Sequence, residues 1–262
     1  MNMVILCEGS SDAAFIGQYM KQAEHYFERD MKAYHVAGWF DISNYDAGRI
    51  SMYDNPNGMH LAIWAVNGST KMASSLHKIL TNNQNGDMLT RADAIAMIID
   101  YDSDAEVDAQ LQQCLQDQQA FMDMAVDICA RWCEGNYDDG FGEKFPVWLT
   151  AIKIPLARPG AMETFLMDTL SQHNGQCRYL VGEAEGFIGS LVKNRSHLPN
   201  EYLKSRRDKV KAPLATYLAV AAPNRIMDKI SDVIASVDWS QYQMVQTAFK
   251  RLSCQEIQKL AH

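Results

Sequence analysis

Three uninterrupted apolar runs stand out along the chain, Met3 to Cys7, Leu61 to Val66 and Ala94 to Ile99. A fourth, Phe145 to Ile154, is nearly as apolar. Runs this short, without polar alternation, predict strands buried on both faces, the habit of a parallel sheet. The first two are followed by turn residues and then by a helical period. Glu8-Gly9-Ser10-Ser11 leads into Phe15, Ile16, Tyr19 and Met20, and Asn67-Gly68-Ser69-Thr70 leads into Met72, Leu76, Ile79 and Leu80. Ser10 or Ser11 suits a helix cap, and Asp12 falls in the first turn, where negative charge is favoured.

Further on, Leu111, Leu115, Phe121, Met124 and Ile128 predict one long helix over 105–134. Pro155 and Pro159 end the fourth strand, and a helix is expected over 161–171. The segment 35–58, rich in Gly, Asn, Asp and Tyr, reads as a loop or an irregular hairpin, whereas 182–198 has no decisive period. Helices are expected over 204–222, 224–237 and 241–260. Alternating strands and helices predict a doubly wound, Rossmann-like α/β fold. Its mostly parallel sheet of four strands would be flanked by helices. Residues 1–172 would form the α/β domain, and 173–262 a mainly helical C-terminal part packed on it.

Composition narrows the function. Of 262 residues, 47% are hydrophobic and 21% charged, a balance that supports a core and excludes general disorder. The formal net charge is −8, so bulk attraction is not how this chain would hold duplex DNA. Contact with nucleic acid would need local basic patches, bridging metal ions or a partner. Cys7, Cys114, Cys129, Cys133, Cys177 and Cys254 form no C-x-x-C pair, which points to reduced thiols rather than a zinc site. The first residues do not resemble a secretion signal, and no run approaches the roughly 20 apolar residues of a membrane span. A cytoplasmic protein with no membrane association is expected. No dinucleotide fingerprint, P-loop or Ser-His-Asp order is present, and the histidines are isolated.

The acids carry the strongest chemical signal. Glu8 ends the first apolar run and Asp100-Tyr101-Asp102-Ser103-Asp104 ends the third. In an open α/β sheet, functional groups gather at the carboxyl ends of strands. If the extended conformation continues, positions 100 and 102 face the same side. Carboxylates gathered there suit Mg²⁺, which prefers hard oxygen ligands and keeps several waters. The competing account makes Asp100, Asp102 and Asp104 ordinary turn and cap residues.

These segments resemble the TOPRIM family. Val4-Ile5-Leu6-Cys7-Glu8-Gly9-Ser10-Ser11-Asp12 is similar to its opening motif, and Ile98-Ile99-Asp100-Tyr101-Asp102-Ser103-Asp104 to its Asp-x-Asp motif. Val66-Asn67-Gly68-Ser69 resembles the Gly turn after the second strand. Arg158-Pro159-Gly160-Ala161-Met162-Glu163 and Asp208-Lys209-Val210-Lys211-Ala212 resemble segments of stand-alone TOPRIM proteins related to OLD-family nucleases. The likeness covers roughly residues 1–170. It departs at Cys7, where valine is usual, in a long insertion near 30–58, and in the lack of an ATPase domain.

The resemblance implies Mg²⁺- or Mn²⁺-dependent cleavage of DNA or RNA, in phage defence or repair. It implies Glu8, Asp100, Asp102 and Lys209 as catalytic residues, and Glu8, Asp12, Asp100, Asp102, Asp104 and Glu163 as metal ligands. Lys211 is an alternative to Lys209 for stabilising charge on phosphate oxygens. Two further readings stand beside it: a nuclease subunit served by an ATPase partner, and a non-catalytic TOPRIM-fold binding domain. A homodimer is compatible with all three.

Overall fold

The computed structural model describes residues 1–29, 49–85, 91–121, 124–138, 142–198, 202–221 and 234–261. The four apolar runs become strands β1 (Asn2–Cys7), β4 (His60–Ala65), β5 (Ala94–Asp100) and β7 (Lys144–Ile154). They lie side by side and parallel in the order β4-β1-β5-β7. The expected sheet of four strands is therefore its centre only. β2 (Phe27–Glu28) and β3 (Arg49–Asp54) extend one edge and β6 (Cys133–Asp138) the other, all antiparallel, giving seven strands among the described residues.

β1, β4 and β5 are buried along nearly all their length because helices cover both faces. Side chains alternate between two layers, as the period of a strand requires. Met3, Ile5, Ile63, Ala96 and Ile152 pack under α1 (Ser10–Ala23) and α5 (Met162–Ser171). Val4, Leu6, Trp64, Ile95 and Met97 pack under α2 (Met72–Asn85) and α3 (Asp104–Leu115). The edge strand β6 alternates buried and exposed, as a strand with one wet face should.

The long helix expected over 105–134 does not form. α3 ends at Leu115, a single 3-10 turn covers Gln119–Phe121, and α4 spans Ala125–Ala130 before β6 begins at Cys133. Two contacts account for the break. Gln118 is buried and pairs with His77 on α2 at 3.0 Å, which turns the chain back toward that helix. Phe121 is buried beside Gly135 of β6, where an added Cβ would come within 2.6 Å of the ring. Most of the segment of indecisive period, 182–193, lies in α6 (Gly175–Lys193), capped by the Asn174 side chain accepting from the Cys177 amide at 2.9 Å, and a 3-10 turn over Arg195–His197 follows. α7 (Arg206–Ala221) forms as expected. Of the predicted loop at 35–58, residues 35–48 lie outside the described residues and 49–54 are β3. Of the predicted helix at 224–237, residues 224–233 also lie outside them.

The region 241–260 divides into α8 (Gln243–Phe249) and α9 (Cys254–Gln258), with Ser253 capping the second. These helices complete the core that α1 begins. Phe15 meets Trp239 edge-on at 4.9 Å and Phe249 at 5.8 Å, and Tyr19 meets Phe249 at 5.2 Å. Residue 172 therefore marks no break in the core. Among the described residues no helix is long and apolar enough to cross a membrane.

Truncating Phe249 to Ala should cost about 3–5 kcal/mol, the usual range for a buried aromatic. Urea unfolding should remain one transition when followed both by tryptophan fluorescence and by far-UV circular dichroism. Two separated transitions would mean that α8 and α9 fold apart from the sheet.

Candidate functional site

Glu8 follows β1 and Asp100 ends β5, and these strands are neighbours, so the two acids emerge side by side at the carboxyl edge. Loop hydrogen bonds fix this edge. The Val66 and Gly68 amides donate to the carbonyls of Cys7 and Glu8 at 2.9 and 3.0 Å, tying the turn after β4 to the end of β1. That turn holds Asn67 and Gly68 at φ of 61° and 118°, and only glycine takes the second angle easily. On the other side, Tyr101 donates to the Ile154 carbonyl at 2.7 Å, and Gly160 donates to the Tyr101 carbonyl at 2.6 Å. The loop leading to α5 is thereby held against the end of β5.

The edge opens into a cleft of about 560 Å³ lined by Glu8, Asp12, Asn67, Asp100, Asp102, Glu163, Arg206 and Lys211, among others. Asp12 reaches it from the first turn of α1, where one carboxylate oxygen accepts the Gly9 amide at 2.8 Å. Glu163 comes from the first turn of α5 and is buried. α7 supplies the cations. Arg206 pairs with Asp102, and Lys211 with Glu163 at 3.1 Å.

Burial and mutual repulsion dominate the electrostatics. Asp100 is pushed up to about 8, first by loss of water and then by Glu8, Asp12, Glu163 and Asp102. Asp12 is pushed up to about 7, chiefly by burial, against the opposing hydrogen bond from Gly9. Glu163 and Glu8 add to the rise, and Lys211 offsets part of it. Behind them the buried Cys7 thiol is raised well above its ordinary value, by burial first and then by Asp12, Glu8 and Asp100.

Five of the sequence-predicted acids thus share one cleft: Glu8, Asp12, Asp100, Asp102 and Glu163. Asp104 does not line it. It starts α3 with its side chain 71% exposed, and binds Lys153 at 2.9 Å and the Tyr101 hydroxyl at 3.3 Å. Its position after Ser103, whose hydroxyl accepts the Glu106 amide, gives it the helix-start role that was the competing account for these acids. Lys209 lines a neighbouring cleft instead, beside Arg158. The strand ends at Asp100, so the period-2 argument does not extend to Asp102, which reaches the cleft from the following loop. Arg206 stands in the sequence only as one of a run of basic residues with Lys204, Arg207, Lys209 and Lys211, and its pairing across the fold carries no local signal.

The donor set is chemically suited to a hard divalent cation: clustered carboxylates, two of them pushed toward protonation when no cation offsets their charge. As the side chains stand, no three His, Cys, Asp or Glu among the described residues close around a single point. An ion here would be held by one or two carboxylates and by water, which is the usual manner of Mg²⁺.

Residues 2–254 match a family described as "Protein of unknown function (DUF3226)". No curated protein matches the chain. A crystal structure of the hypothetical protein PH0156 from Pyrococcus horikoshii OT3 is 14% identical, with a TM-score of 0.44, over 90% of this chain and 96% of that one. The match over 2–254 takes in the acidic cleft and the helices that enclose it, and the chain belongs to the DUF3226 family of proteins of unknown function.

Proposed function

We propose that the cleft is a divalent-cation-dependent phosphodiesterase site of TOPRIM type, acting on DNA or RNA in defence or repair. The observation that carries this reading is the junction of β1 and β5. Adjacent parallel strands end in Glu8-Gly9 and in Asp100-x-Asp102, and their acids share one cleft with Asp12 and Glu163. The order of these motifs along the chain supports a TOPRIM-type arrangement for the parallel centre of the sheet.

Asp100 and Asp102 would hold Mg²⁺ or Mn²⁺, which when bound supplies charge neutralisation at the phosphate and an acidified water. The residues themselves do the rest. Glu8 can accept the proton of an attacking water, or take a place on the ion instead. Lys211 and Arg206 face phosphate oxygens with fixed positive charge. Asp12 holds the Gly9 turn through its hydrogen bond, which sets the position of Glu8. Asp12 and Glu163 are also suited to a second ion.

A second reading is favoured by one observation: Asp102 and Glu163 are already neutralised by Arg206 and Lys211. A nuclease subunit whose ATPase partner draws α7 aside would use such pairs as its resting state. The net charge of −8 agrees with a partner supplying the grip on nucleic acid.

With Mn²⁺ or Mg²⁺ titrated over supercoiled plasmid and single-stranded substrates, wild type should cleave. Asp100→Ala and Glu8→Ala should each lose at least about a hundredfold, the scale expected for an electrostatic group at the reaction centre. Cleavage by Asp100→Ala at the wild-type rate overturns the assignment. If wild type is inert but is still stabilised by Mn²⁺, the partner-dependent reading replaces the first.

Linkage gives a second expectation. The folded Asp100 binds its proton up to about pH 8, while the unfolded residue releases it near 4. The native state therefore holds more protons in between, so stability without metal should fall as pH rises from 5 to 8. Asp100→Asn should flatten that slope, as read from urea midpoints. Because a cation competes with those protons, Mn²⁺ should raise the wild-type midpoint more at pH 8 than at pH 6. Equal shifts at the two pH values would remove Asp100 from the ion's ligands.

A further inference from the structure

A second cleft of about 480 Å³ adjoins the acidic one. The two share Asp102, Arg206 and Val210, so they meet along the Asp102–Arg206 pair, and an extended chain lying over that pair would reach both. Charge of both signs lines the second cleft, Arg158, Arg206 and Lys209 against Asp102, Glu106 and Glu185, while Pro159, Met167 and Pro213 provide apolar surface. Arg158 is held by Asp168, which takes Nε at 3.0 Å and Nη2 at 2.5 Å, and Nη2 also reaches Glu185 at 3.5 Å. One edge of the guanidinium is thereby fixed. The Nη1 donors remain uncommitted among the described residues. Lys209 is exposed and forms no ion pair among them.

We infer that this second cleft seats the nucleotide next to the scissile phosphate, on an unpaired DNA or RNA strand. The inference rests on the phosphodiesterase reading of the first cleft. The phosphate of that nucleotide meets Arg206 and Lys209, and its base lies on Pro159, Met167 and Pro213. Three features favour an unpaired strand over a duplex. The volume falls in the range of about 300–1,000 Å³ that takes one small ligand. The apolar surface of Pro159 and Pro213 gains contact only with a base whose face is free, as it is on a single strand. Glu106 and Glu185 also line the cleft, and they oppose a duplex, which carries one charge per roughly 1.7 Å of its axis.

The test is fluorescence anisotropy with labelled 12-nucleotide probes in EDTA, so that cleavage is absent. The probes are oligothymidylate, oligouridylate and a duplex DNA of the same length. Wild type should bind one or both single strands at least about fivefold more tightly than the duplex, and whichever binds identifies the preferred sugar. Lys209→Glu should weaken strand binding at least fivefold and reduce the salt slope by about 0.7, the loss of one phosphate contact. Arg158→Gln should weaken it as well. No strand binding by wild type, a duplex bound as tightly, or strand affinity unchanged in Lys209→Glu would each overturn the inference. Asp100→Ala separates the two claims. If it binds the strand in a Lys209-dependent way while wild type cleaves nothing, the seat stands and the phosphodiesterase reading falls. If cleavage depends on Asp100 but binding is indifferent to Lys209, the seat falls alone.

Discussion

A strand covered on both faces can place a charged side chain only at its ends. β1 and β5 are such strands, and every residue of β1 is buried. Five consecutive apolar positions in β1, Met3 to Cys7, push the polar chemistry into the residue that follows, Glu8, and six in β5, Ala94 to Ile99, push it into the last residue of the strand, Asp100. Because the strands are parallel neighbours, both acids leave the sheet at the same edge, and the turn after β4 and the loop before α5 close around them. The cleft thus follows from the same burial that stabilises the sheet.

That arrangement concentrates negative charge where water is scarce. Asp12 and Glu163 arrive from the first turns of α1 and α5, positions that favour acids on helix grounds alone. The first turns of α7 answer with Arg206 and Lys211, which take Asp102 and Glu163. Exposed ion pairs contribute little to stability in general. Here their value is positional, since they hold a basic helix across an acidic opening and join it to the second cleft.

How much of this could be read from the chain alone depended on burial. The parallel strands were legible because each is a continuous apolar run with a turn behind it. β3, with Arg49-Ile50-Ser51-Met52-Tyr53-Asp54, and β6, with Cys133-Glu134-Gly135-Asn136-Tyr137-Asp138, were not. Each pairs antiparallel with the next strand in sequence, Asp54 opposite His60 and Asp138 opposite Lys144, but polar residues interrupt both, so neither shows a continuous apolar run. The break after Leu115 was hidden for another reason, because Gln118 and Phe121 find His77 and Gly135 only in three dimensions. Within the site, Glu8, Asp12, Asp100, Asp102 and Glu163 were visible as strand ends and helix starts. Asp104 shared their local pattern but faces Lys153, a residue of β7 with no motif to mark it. Arg206 is the converse case, a residue of the cleft with only a charged run around it.

The packing of Phe15 and Tyr19 against Trp239 and Phe249 has a consequence for synthesis. α1, which carries Asp12, ends at Ala23, yet its apolar face is covered by Trp239 and Phe249, which are made long after it. Domains on the ribosome fold as units once their contacting parts have emerged. While translation proceeds, that face of α1 waits uncovered, and the opening motif cannot be locked in place until residues 239–249 have been made and have emerged. A nascent fragment would carry the acidic strand ends without the hydrophobic closure that makes them a site.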